Sequence, residues 1–99
     1  MSGKISRKES SDEEVFYIIS VASRLSGMHP QTLRQYDRLG LVSPSRASGR
    51  GRRYSSEDIE LLLMIQALVN DGINLAGVKK IMELQLAVQH LMAELEKFQ

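Results

Sequence analysis

The spacing of apolar positions divides the chain into short segments of different period. "VFYII", from Val15 to Ile19, is a run of β-branched and aromatic residues. It fits either a strand or a buried lead-in to the next helix. Behind Ser20, a residue type that caps helix starts, Val21, Ala22 and Leu25 recur at helical spacing. Gly27 follows where a turn is needed. "HPQTLRQYDRLG" then predicts a second helix: Pro30 suits its first position and Gly40 the left-handed site just past its end. Two short helices joined by a tight glycine turn make a helix-turn-helix.

Beyond it lies "LVSPSRASGRGRRYS". Pro44 argues against a central strand. Val42–Arg46 and Arg52–Ser55 are predicted to pair around "ASGRG", with Gly49 and Gly51 supplying the turn. The product is a hairpin with an arginine-rich tip, a wing beside the second helix. "SSEDIELLLMIQALVNDG" predicts a third helix. Ser55 with Asp58 has the spacing of a capping box, and early acids suit the positive helix end. Ile59, Leu62, Leu63, Leu68 and Val69 are dense enough to supply the main core, and Gly72 stops the helix. Asn74 caps a fourth. In that helix Ile81, Leu84, Val88, Leu91, Leu95 and Phe98 alternate three and four apart, a heptad seam of about two and a half repeats. Such a stripe fits either an amphipathic helix packed on its own domain or a helix that pairs with a second copy.

The fold class expected is therefore mainly α: a winged helix-turn-helix with a small β-hairpin wing and a C-terminal dimerisation helix. The organisation expected is a disordered tail over 1–14, where the sequence is polar and aperiodic, a DNA-binding domain over 15–83, and a dimer helix over 84–99. At 99 residues the chain holds one domain with a small core, which favours association. It has no cysteine, hence no disulfide framework and no thiolate metal site. The N-terminus has no apolar signal region, and no run approaches the roughly 18 residues of a membrane span. A cytoplasmic location is expected. His29 sits at a predicted cap and His90 on a polar face, neither with a second ligand at metal spacing. No nucleophile motif or phosphate-cradling loop is present, so an enzyme is not expected. No metal and no cofactor are expected either.

A net charge of +1 conceals an uneven distribution. Arg24 to Arg53 holds seven basic residues, all arginine, and one acid, Asp37, for a net +6; the rest of the chain nets −5. A field gathered in one third of the chain points to a polyanion, and arginine's planar fork suits phosphate and guanine. On the second helix Gln31, Arg34, Gln35 and Arg38 fall at i, i+3, i+4 and i+7 and form one stripe. Thr32 and Tyr36 flank it. Leu33 and Gly40 face away. Arginine bonds guanine with both arms, glutamine bonds adenine, and threonine can touch a base or the thymine methyl; tyrosine hydroxyls often meet phosphate. A polar helix face is commonly just solvated. A neighbouring loop with Arg46, Arg50, Arg52 and Arg53 and no acid is harder to explain that way.

"YIISVASRLSGMHPQTLRQYDRLGLVSPSR", "RRYS" and "EDIELLLMIQALVNDGINLAGVKKIM" resemble the DNA-binding domain of the MerR family, from about Tyr17 to Leu84. The most specific part is Thr32-Leu33-Arg34-Gln35-Tyr36-Asp37 followed by Gly40-Leu41. Where that family usually has two tyrosines and a glutamate, Gln35 replaces the first tyrosine and Asp37 the glutamate. This form resembles the family's heat-shock repressor branch. The resemblance implies a dimer bound to inverted repeats in double-stranded DNA upstream of chaperone genes, with the chaperone DnaK as co-repressor. It places Thr32, Arg34, Gln35 and Tyr36 on the recognition helix and Arg52 and Tyr54 on the wing; Arg50 and Arg53 extend the wing's charge. Gln31 and Arg38 complete the stripe, and Arg24 is a weaker candidate. Leu84, Val88, Leu91 and Leu95 would form the seam of an antiparallel dimer helix. Metal-sensing members use cysteines that this chain lacks, and drug sensors carry a large C-terminal domain, so no small-molecule ligand is expected. Two other readings stay open: an architectural, excisionase-like protein that bends DNA, and an interaction module whose arginines meet an acidic protein.

Overall fold

The computed structural model describes residues 15–46 and 51–98. The expected N-terminal tail and the wing residues Gly49 and Arg50 lie outside them. The order is β1 (Phe16–Ile18), α1 (Ile19–Ser26), α2 (Pro30–Arg38), β2 (Arg53–Ser55), α3 (Ser56–Asn70) and α4 (Leu75–Glu96). The chain divides into two compact units, 1–63 and 64–99, with the division inside α3.

In the first unit "VFYII" resolves into both of its possibilities. Phe16 to Ile18 is a strand, and the helix begins directly at Ile19. The cap is thus Ile18, which makes no side-chain hydrogen bond, and not the expected Ser20. Strand β1 runs antiparallel to β2, with Tyr17 opposite Tyr54 and Ile18 opposite Arg53. The wing departs from the hairpin expected of it. Val42–Arg46 does not form a strand against Arg52–Ser55; a single bridge joins Ser45 and Arg53, whose amides and carbonyls exchange hydrogen bonds of 2.9 and 2.8 Å. On its other edge β2 meets β1, an aromatic and β-branched partner.

The helix-turn-helix is built as its glycines predict. Gly27 ends α1 at φ 73°, a conformation that costs a residue without Cβ little. Helix α2 starts on Pro30, and His29 caps it by accepting the Gln31 amide on Nδ1 at 3.0 Å. At its end Gly40 has φ 76°, its N–H bonds the Asp37 carbonyl at 3.0 Å, and the Leu41 N–H bonds the Tyr36 carbonyl at 2.9 Å. That paired closure is a Schellman motif, completed by burial of both Tyr36 and Leu41. Ser55 and Asp58 form the expected capping box, each accepting the other's amide, at 3.0 and 3.1 Å.

The core of this unit is Ala22, Met28, Leu33, Tyr36, Leu41, Val42, Tyr54, Ile59 and Leu62. Leu33, on the inner face of α2, fixes which face points out; full burial of such a side chain is worth about 1.5–3 kcal/mol. Leu63 and Val69, expected in the core, are 47% and 38% exposed, and so is much of Leu25. The apolar residues of α3 run nearly all round the helix, so only part of them can face inward.

The second unit contains the end of α3 and all of α4. Gly72 closes α3, and Asn74 caps α4 by accepting the Gly77 amide at 2.8 Å. Ile65 and Val78 are its buried residues. Helix α4 runs unbroken through Glu83 and Leu84, where the sequence suggests a domain boundary.

Candidate nucleic-acid interface

Helix α2 carries the candidate stripe because Leu33 and Tyr36 anchor its other side. Gln31, Gln35 and Arg38 are exposed, and Thr32 and Arg34 are half-buried. Arg34 Nη1 donates to Gln31 Oε1 at 3.3 Å, one turn back along the helix. This bond orders two groups able to read base edges while keeping both on the surface. The Arg34 guanidinium retains donors for a bidentate contact.

The neck of the wing meets the same helix through Asp37. Its Oδ2 accepts Arg52 Nε at 2.9 Å and is also bonded by an Arg46 terminal nitrogen. Arg46 and Arg52 come from opposite limbs of the wing, one step beyond the Ser45–Arg53 bridge. Asp37 lies one turn after Arg34 and beside Arg38, so the wing arginines are drawn to the end of the polar stripe. The segment's lone acid is therefore a clamp between the two basic elements. Sequence reasoning gave Asp37 and Arg46 no such role. The signal available was Asp37's isolation among seven arginines.

The two tyrosines occupy other places than those assigned to them. Tyr36, expected beside the stripe, is a core residue, and Tyr54, expected on the wing surface, is fully buried in β2. Both alternations place them inward: Tyr36 shares Leu33's side of α2, and Tyr54 is the central residue of a three-residue strand. Burial pushes the pKa of both hydroxyls above the ordinary value. At Tyr54 the Arg52 cation opposes this, while the Asp37 and Asp58 carboxylates add to it. The Tyr54 hydroxyl has no hydrogen-bond partner among the described residues. Arg53 is half-buried and donates from Nη1 to the Arg52 carbonyl at 3.3 Å. Arg24 is exposed on α1.

On α4 the seam residues Leu84, Val88, Leu91 and Leu95 are 51–64% exposed, and every described residue from Glu83 to Phe98 is exposed. The stripe is thus uncovered in the single chain. No helix is long and apolar enough to cross a membrane, and no group of three His, Cys, Asp or Glu is placed to hold a metal ion among the described residues.

Comparison with known proteins identifies the family. The chain is 63% identical over 86 residues to the heat shock protein HspR of Streptomyces coelicolor, covering 86% of this chain and 57% of that one. It therefore spans under two thirds of that relative's length. The crystal structure of HiNmlR, a MerR family regulator lacking the sensor domain and bound to promoter DNA, superposes with a TM-score of 0.68. The identity is 25%, over 85% of this chain and 78% of that one. A MerR family transcriptional regulator from Bacillus cereus gives a TM-score of 0.64 at 27% identity, over 85% of this chain and 72% of that one. The family model for MerR helix-turn-helix regulatory proteins matches residues 17–85. These are regulators and not enzymes, and the chain belongs to the MerR family.

Proposed function

We propose that the protein is a sequence-specific transcriptional repressor that binds inverted-repeat operators in double-stranded DNA as a homodimer. The observation that carries this is the Asp37 clamp, which holds Arg46 and Arg52 at the end of the Gln31–Arg34–Gln35–Arg38 stripe. In this reading α2 enters the major groove and the wing grips the flanking backbone. The uncovered α4 seam joins two copies, setting their recognition helices about one duplex turn, roughly 34 Å, apart.

Heat-shock or chaperone genes as the target, and DnaK as co-repressor, rest on the likeness to HspR. The protein acts in the cytoplasm on the nucleoid. A footprint on genomic DNA tests this reading. Protection of inverted repeats upstream of chaperone genes, with two protomers per site, is the expected result. Equal affinity for every duplex would overturn it in favour of an architectural role.

A further inference from the structure

Arg46 and Arg52 face each other across the neck of the wing, because the antiparallel Ser45–Arg53 bridge sets them opposite one another. Like charges so placed repel. Asp37 relieves this by accepting both on one oxygen, yet a single carboxylate neutralises only one of two cations. The two arginines are also unequally held. The Arg52 side chain is 23% exposed, and it reaches Asp37, itself 12% exposed, through Nε. The Arg46 side chain is 55% exposed and engages through a terminal nitrogen. An exposed ion pair contributes little and is easily exchanged, whereas one drawn out of water is costly to break.

We propose that Asp37 and Arg52 form a fixed pin that sets the wing against α2, and that Arg46 is the arm that leaves Asp37 for a DNA phosphate. The inference rests on the DNA-binding reading and deepens it. When Arg46 departs, Asp37 keeps Arg52 as its counter-charge, so the exchange leaves no bare carboxylate against the duplex. Arg52 acts through Asp37 and is a positioning residue. Arg46 is the wing's phosphate contact.

The test is a salt titration on a labelled random duplex of about 24 base pairs, which reports backbone contacts alone, for the full chain and four variants. Arg46→Ala is expected to reduce the slope of log K against log salt by about 0.9 per protomer. Arg52→Ala leaves Arg46 as the sole partner of Asp37 and captures it, so binding weakens. Adding Asp37→Asn to Arg52→Ala frees Arg46 and restores the slope. In Asp37→Asn alone the slope is undiminished, but the Ser45 and Arg53 amides, which pair across the neck, exchange hydrogen faster in the DNA-free protein. An unchanged slope in Arg46→Ala would overturn the arm. A double variant binding no better than Arg52→Ala, or unchanged amide exchange in Asp37→Asn, would overturn the pin. A wild-type chain with no duplex affinity at low salt would overturn the DNA-binding reading and the inference with it.

Discussion

Asp37 Oδ2 lies 2.9 Å from Arg52 Nε, and this contact ties the last turn of α2 to the far limb of the wing. The residues are fifteen positions apart in sequence. Between them the chain turns out of α2 through Gly40 and passes Pro44 before returning at Arg52. Local signals such as the capping box or the Schellman turn cannot reveal a pairing of that span, because each depends on neighbours a few residues away.

Tyr54 supplies the first prediction. Its hydroxyl is buried without a partner among the described residues, so it costs desolvation and returns nothing. Tyr54→Phe is expected to leave the free energy of unfolding unchanged or raise it, by up to about 1–3 kcal/mol, with duplex affinity unaltered. Denaturant unfolding and duplex titration check both parts. A loss of affinity with intact stability would return Tyr54 to the interface.

The same burial has a pH consequence. Tyr36 and Tyr54 hold their protons to higher pH in the folded chain than the ordinary value of 10.0. Above that value the unfolded state binds fewer protons than the folded one, so stability falls as pH rises through the folded ionisations and is fully present below. Chemical unfolding between about pH 9 and 11.5 should show this decline, and Tyr54→Phe should make it shallower. An equal decline in both proteins would remove Tyr54 from the effect.

The elements themselves were largely legible in the residues, and the reasons are local. Pro30, Gly40, Gly72, Asn74 and the Ser55–Asp58 pair each act within one turn of their own position, and each sits where its chemistry requires. Ser20 misled because the β1 strand runs straight into α1, leaving Ile18 at the cap. The wing misled because its near limb keeps only the Ser45–Arg53 bridge, while the other edge of β2 pairs with β1, a tertiary outcome. The site divided in the same way. Helical periodicity placed the stripe on the outer face of α2, opposite Leu33. It could not show that Tyr36 turns inward or that Asp37 gathers two arginines.

Leu91 tests the seam. It is 64% exposed in the single chain, so a polar replacement removes no internal packing. Leu91→Asp would bury a charge at a paired interface and is expected to halve the sedimentation mass at micromolar concentration while leaving helix content near that of wild type. A wild-type mass of one protomer, or an unchanged dimer in the variant, would remove the seam from the account.

If the outer face of α2 reads bases, competition between a footprinted genomic duplex and random duplex at about 150 mM salt, for wild type and Arg34→Ala, will show it. A specific regulator should prefer its site by about a thousandfold or more. Loss of one bidentate base contact costs about 1–3 kcal/mol, so Arg34→Ala should lower that ratio roughly 5- to 150-fold while binding random duplex with most of its affinity. A variant that keeps the wild-type ratio, or a wild type with no preference at all, would contradict the claim.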